Sequence, residues 1–501
     1  VIFLKKITLL IFFSCGIAFS NPSKFDFNEN CEKAYLHYIS FKFNEGEKLL
    51  NIEKKRNPAN AIPYYIENIQ DVVSIFVSEE KPLFEKLKGN KETRMKLLES
   101  ADPKSPFYLL TQAEIHLQWA MARVKFEEYT TAALELNRAY RLLKENKKKF
   151  PNFPLNNKSL GLLHVLIGTI PDSYKWVSTI LGIKGTINQG VSELKAFYNL
   201  SYSDSNYYIY QTEATVYLGM VLINYTTETF EAEKIFERIK KIKTPNPMLT
   251  YIFGSIGLKT GRTDEVIDFY TKHRFGKEYF QFYYLDLQLG QAKLNRQDED
   301  AIIYLEKFRT NFKGINYIKS CNQYISFYYF LKNDNENFRK YFKYIDGPGG
   351  IFVDEDKQAF RNYRNNEIPD KDLLKARLLY DGGYYKKSFS ALLEIEANEL
   401  KKLHYKLEYL YRLARVYQKM GNEQLSLTNY ERTLETGEKQ PFYFAESAAV
   451  QLGIYWETKG ELDKAKYYYK RAIAVTKHEF KNSLDQKAKA GLSRIDDQKD
   501  Q

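Results

Sequence analysis

The sequence predicts an all-α fold, a right-handed solenoid of antiparallel helical hairpins. Three observations predict it. Small residues recur at fixed offsets among bulky aromatic ones: in QLGIYWETKGELDKAKYYYKRAIAV (451–475), Gly453, Gly460, Ala465 and Ala472 are set among Trp456 and Tyr469. Turn marks recur at nearly constant spacing along the second half of the chain. No stretch shows the sustained polar–apolar alternation with hairpin turns that strands require.

Composition agrees with a folded chain. Of 501 residues 44% are hydrophobic and 28% charged, and 25 Gly with 14 Pro leave little room for linkers. The formal charge is +12, spread along the chain with small clusters at Lys147-Lys148-Lys149 and Lys240-Lys241. Solvated helix faces explain such a spread; attraction to an anionic lipid or protein surface is the functional alternative.

Taken in order, residues 1–20 read as a signal peptide. Lys5 and Lys6 precede an apolar run from Ile7 to Phe19 that is too short to span a bilayer, and Ala18 and Ser20 are small residues before a cut at Asn21. Cys15 offers lipidation as the alternative, with Phe12 fitting that pattern poorly. Export across the cytoplasmic membrane follows as an expectation, to a periplasmic or outer-membrane-associated site, with the mature chain soluble or peripheral to the membrane. Only Cys31 and Cys321 would then remain, neither a disulfide framework nor a thiolate metal site.

Residues 21–200 are helical by periodicity but irregular. Within them, 113–146 places Ala120, Ala132, Leu136 and Ala139 at spacings that suit a hairpin, and Ser105-Pro106 suits a helix start. Residues 201–345 predict degenerate hairpins. One spans Tyr207–Lys243 and turns near Thr226-Thr227; the next turn marks are Gly261, Gln297 and Asn333, 36 residues apart each time. Residues 346–370 interrupt the period and are expected as a connecting loop between two sub-arrays or as an atypical unit. Residues 371–495 carry the clearest repeats, with Gly383, Gly421 and Gly460 at the turns, and 496–501 form a tail.

The physical logic is plainest in 446–477. Antiparallel helices approach closely only where side chains are small, here Gly453, Ala465 and Ala472, and Trp456 and Tyr469 fill the remaining space. Gly460 lets the chain leave the first helix through a left-handed residue. Glu461 and Asp463 then suit the start of the second helix. Lys477 and His478 suit the end of it.

This spacing resembles the tetratricopeptide repeat, and Ala414, Gly421, Ser426 and Tyr430 take the same places one repeat earlier. A looser resemblance, carried by KSLGLLHVLIGTIPDSYKWVSTILGIKGTINQGVSEL (158–194), is to a tetratricopeptide family linked to the mitochondrial outer membrane and inclusion-body clearance; its elements are Pro171, Leu181-Gly182, Gly185 and Gly190. The repeat resemblance implies a concave groove lined by the first helix of each hairpin. It places Arg377, Tyr380, Tyr411, Arg415, Gln418, Lys419 and Ile454 there, with Arg377 and Arg415 at equivalent positions of adjacent helices. Such a pair could grip a carboxylate through charge-assisted hydrogen bonds, or could bond to neighbouring helices. The Lys/Asn set of chaperone-binding repeats is absent.

Catalytic signatures are missing. His37, His116, His164, His273, His404 and His478 include no pair at metal-ligand helical spacing, and there is no Gly-x-Ser-x-Gly motif. The expectation is a non-enzymatic scaffold without cofactor or metal that binds a protein or peptide; nucleic acid does not suit an exported chain with no such motif. The alternative is a glycan-binding lipoprotein similar to helical starch-uptake proteins. Its obstacles are the poor anchor sequence and three scattered tryptophans, Trp119, Trp176 and Trp456.

Overall fold

The computed structural model describes residues 24–170, 181–226, 229–396, 400–475, 478 and 480–499. The signal-peptide reading, Trp176, Pro171, Thr227 and Lys477 therefore lie outside the described residues. Among those described there is no strand, only one isolated bridge between Lys24 and Asn60.

The helices follow one another as antiparallel pairs. The first five are α1 (Glu29–Ile39), α2 (Phe43–Arg56), α3 (Ile62–Ser78), α4 (Lys81–Leu87) and α5 (Asn90–Glu99). Next come α6 (Pro106–Lys125), α7 (Tyr129–Lys149), α8 (Leu155–Gly168) and α9 (Ile187–Ser203). A 3-10 turn (Ser205–Tyr210) leads into α10 (Gln211–Tyr225) and α11 (Thr229–Lys240). The middle hairpins are α12 (Pro247–Thr260) with α13 (Thr263–Lys272), α14 (Tyr284–Arg296) with α15 (Ala301–Asn311), and α16 (Ile318–Leu331) with α17 (Asn335–Tyr344). A single helix α18 (Asp354–Arg364) precedes the last set: α19 (Lys371–Asp381) with α20 (Tyr385–Leu393), α21 (Leu403–Lys419) with α22 (Glu423–Gly437), α23 (Tyr443–Thr458) with α24 (Leu462–Ala474), and the closing α25 (Lys481–Lys499).

One turn device recurs. Gly261, Gln297, Asn333, Gly383, Gly421 and Gly460, six of the turn marks of the sequence, all have φ between 61° and 84°. After each, the next backbone N–H returns to the carbonyl five residues earlier, as from Asn422 to Tyr417 and from Asp298 to Lys293, both at 2.9 Å. This closes the helix end by satisfying carbonyls that would otherwise be orphaned. Glu127 makes the same turn between α6 and α7.

Close packing falls at the small residues. A Cβ on Gly453 would stand 2.5 Å from the Tyr469 ring, and Ala465 and Ala472 are wholly buried. In the two preceding repeats the equivalent of Ala465 is a serine. Ser388 donates to the Ala376 carbonyl at 2.7 Å and Ser426 to that of Ala414 at 3.0 Å, so the hydroxyl ties the hairpin where it is narrowest. Gly161 and Gly190 bring α8 and α9 together in the same way.

The segment 346–370, for which the sequence leaves a connecting loop and an atypical unit both open, carries the single helix α18. Asp354, Glu355 and Asp356 occupy its first turn and Arg361 and Arg364 its last, the charge order a helix dipole favours. Ala359 is buried in a small cluster with Phe338, Phe342 and Ile345. Asp356 reaches over to cap α16, accepting from the Ser320 N–H at 2.8 Å. His478 is not a solvated charge at a helix end either. Its side chain is buried 2.6 Å from Glu446, which Lys481 approaches at 3.2 Å.

One continuous core runs from Cys31 to Ala292, across position 200. At its heart Lys158 is wholly buried between Glu213 (2.6 Å) and Glu114 (3.1 Å). Tyr35 and Tyr217 donate to Glu213, and Tyr65 and Ser159 to Glu114. The array also curls onto itself. Tyr284 donates to Glu79 at 2.6 Å, and that carboxylate accepts from the Asn316 N–H at 2.9 Å.

Candidate binding groove

The first helices of the C-terminal hairpins, α19, α21 and α23, pack side by side. Arg377 and Asp381 are one turn apart on α19, and Arg415 projects from the equivalent position of α21. Both guanidinium groups stand 3.8 Å from the Asp381 carboxylate, and all three side chains are partly exposed. That separation marks ion pairing without hydrogen bonding, so the donors of both arginines are not spent on Asp381. Arg415 lies 4.0 Å above the Tyr380 ring and 5.7 Å from that of Tyr411. Burial pushes the Tyr380 phenol up to about 12, against the pull of Arg415.

Four of the seven expected groove residues thus come together: Arg377, Tyr380, Tyr411 and Arg415. The other three are engaged elsewhere. Gln418, exposed near the end of α21, accepts from the buried Tyr430 hydroxyl of α22 at 2.9 Å. Lys419 lies over Tyr385 at 5.7 Å, close to the turn. Ile454 packs against the core of the last two hairpins.

Beside Arg377 a cleft of about 70 Å³ opens between α18, α19, α21 and the start of α23, lined among others by Arg361, His404, Tyr405, Glu408 and Tyr443. Arg361 comes from the helix that the repeat period did not announce, and Phe442 and Tyr443 are the cap and first residue of α23, ahead of the groove positions counted from the repeat. Burial drives the Tyr443 phenol up to about 12, with Arg412 and Arg377 opposing. Arg412 is itself spent within α21, bonded to Glu408.

Among the described residues no group of three His, Cys, Asp or Glu side chains could hold a metal ion. Both described cysteines are free and buried. Burial raises the Cys31 thiol to about 12, far from a reactive thiolate. No helix among the described residues is long and apolar enough to cross a membrane.

No protein-family model matches this chain, and no curated protein does. Solved structures overlap it along most of its length. A monomeric mutant of IFIT1 with Gppp-AAAA is 13% identical, covering 85% of this chain and 91% of its own, at a TM-score of 0.29. Yeast Tom70 is 12% identical, covering 93% and 95%, at a TM-score of 0.23. At such identities and scores, what either neighbour binds does not carry over. The left-handed turns and the small-residue seams define the architecture by themselves: an all-α array of antiparallel hairpins with tetratricopeptide-like spacing.

Proposed function

We propose that this chain is a non-catalytic scaffold that binds a protein or peptide along the concave face of its C-terminal repeats, and that it does so after export, at the cell envelope. The observation that carries the reading is the convergence of Arg377 and Arg415 on Asp381. Two guanidinium groups share one carboxylate at 3.8 Å, so the spot keeps a net positive charge, and all three side chains are partly exposed. An acidic side chain or a C-terminal carboxylate of an extended ligand fits that spot, with Tyr380 and Tyr411 as its wall.

The test is fluorescence polarisation with a labelled peptide library differing in acidic content and in a free or amidated C-terminus. The full chain binds acidic members, and Arg377→Ala with Arg415→Ala weakens them at least tenfold while neutral peptides are unaffected. Pull-down from an envelope fraction with the same pair of chains then identifies the partner. Equal binding by wild type and double variant overturns the reading.

A further inference from the structure

A second cleft, of about 290 Å³, shares no lining residue with the first and lies between the α12/α13 hairpin and the α14/α15 hairpin, where residues 273–283 connect them. Its volume is at the lower end of ligand sites, which run to about 300–1,000 Å³, and leaves room for one ring-sized molecule. The connecting segment is held in place rather than left loose. The Phe280 N–H donates to the Phe41 carbonyl at 2.7 Å, and the Phe280 ring packs against Phe43 with centroids 5.1 Å apart. The cleft is therefore preformed.

Its lining is aromatic, including Tyr279, Phe282 and Tyr304, with three charged groups among the rings: Asp286, Lys307 and Arg274. Asp286 is mostly buried, and Lys307 donates to its Oδ1 at 2.9 Å; among the described residues Oδ2 takes no hydrogen bond. Arg274 reaches the Tyr304 hydroxyl at 3.3 Å. Lys307 and Asp286 balance one another, and Arg274 is bonded to Tyr304, so the lining offers an acceptor, the Asp286 Oδ2, beside donors on Lys307 and Arg274. A neutral ring with adjacent hydroxyls suits both, because each hydroxyl donates to the carboxylate and accepts from the cations. The apolar C–H face of such a ring suits aromatic walls.

We infer that the cleft between α12–α13 and α14–α15 binds a single sugar ring, with Asp286 and Lys307 taking its hydroxyls and the aromatic residues its apolar face. This site is separate from the peptide groove and stands or falls without it.

The experiment is saturation-transfer difference NMR on the full chain with glucose, galactose and N-acetylglucosamine, and with benzoate and benzyltrimethylammonium as charged ring controls. Transfer to the ring protons of at least one sugar is expected, with little to either ion. Asp286→Asn and Tyr304→Ala, each confirmed folded by an unchanged helical circular-dichroism signal, are expected to lose most of that transfer. Arg415→Ala, in the other groove, is expected to keep it. Absence of transfer to all three sugars overturns the inference, as does stronger transfer to either ion. Persistence of the sugar signal in both folded cleft variants overturns it too.

Discussion

Gly261 and Gly383, at the tips of hairpins three apart in the array, meet backbone to backbone. A Cβ built on Gly261 would stand 2.9 Å from the Gly383 Cα, and one built on Gly383 would overlap the Gly261 carbonyl oxygen. Beside them the Tyr384 hydroxyl donates to Asp264 at 2.8 Å, and Arg296 holds the same carboxylate at 3.0 Å. The contact closes the middle of the array against its C-terminal part.

This contact separates two substitutions that look alike in sequence. Gly383 and Gly421 both have positive φ, 84° and 77°, but a Cβ on Gly421 would meet nothing within 4 Å. Gly421→Ala is expected to cost about 1 kcal/mol, from backbone strain alone. Gly383→Ala adds a clash between two backbones and is expected to cost clearly more. Urea denaturation of both variants beside wild type checks the order.

Ala465→Leu is expected to destabilise by about 1–3 kcal/mol, because the wholly buried Ala465 faces the seam that Gly453 and Tyr469 share. A thermal melt that matches wild type would show that α23 and α24 do not close at these residues.

Lys158→Met is expected to cost about 3–5 kcal/mol at neutral pH, since it strands Glu114 and Glu213 in the core without a counter-charge. The loss is expected to shrink in acid, where the two carboxylates can take up protons. Denaturation at two pH values measures both effects.

Arg415→Lys is not a conservative change here. The ammonium cannot spread over the Tyr380 ring as the guanidinium does at 4.0 Å, and it offers no planar fork to a carboxylate. Acidic-peptide affinity is expected to fall several-fold while the melting temperature moves little, which polarisation and calorimetry read separately.

Two buried carboxylates give stability opposite pH dependences. Burial pushes Glu135 up, but hydrogen bonds from His116 and Lys91 outweigh it and hold the group at about 2, below its ordinary 4.5. Its contribution is present above pH 4.5 and lost as pH falls towards 2. For Asp356 burial prevails over the N–H groups of Ser320 and Tyr317 and sets the group at about 6, above 3.8. The folded chain then holds its proton longer than the unfolded one, so this contribution is full below 3.8 and lost as pH rises through 6. Glu135→Gln is expected to flatten the acid limb of a stability–pH curve, and Asp356→Asn to remove a decline between about pH 4 and 6.

The hairpins were legible because their determinants are local. A left-handed residue after a helix and small residues at set offsets are properties of one short segment, and they mark Gln297 and Asn333 as surely as Gly460. Arg377 and Arg415 were legible as neighbours for the same reason, but Asp381, one turn beyond Arg377, was not singled out, because an acidic residue near a helix end looks like an ordinary solvated charge. The curl of the array was not legible: no periodicity in 250–270 announces that Gly261 will touch Gly383, or that Glu79 will take bonds from Tyr284 and Asn316. Helix α18 escaped because it stands outside the repeat period, although its acidic start and basic end were there to read. Glu446 and His478 escaped because a buried polar pair looks, in sequence, like two surface residues.

Stacks whose modules touch only their neighbours come apart in stages, each unit released from an end. The bonds from Tyr35 to Glu213 and from Tyr284 to Glu79 tie residues separated by 178 and 205 positions. Any hairpin between those knots is held at both ends, so the portion up to the tip at Gly383 gives way as a block. Such distant ties also slow the route back, because long loops must close before they are rewarded. A chain nicked within that block would keep its two pieces together.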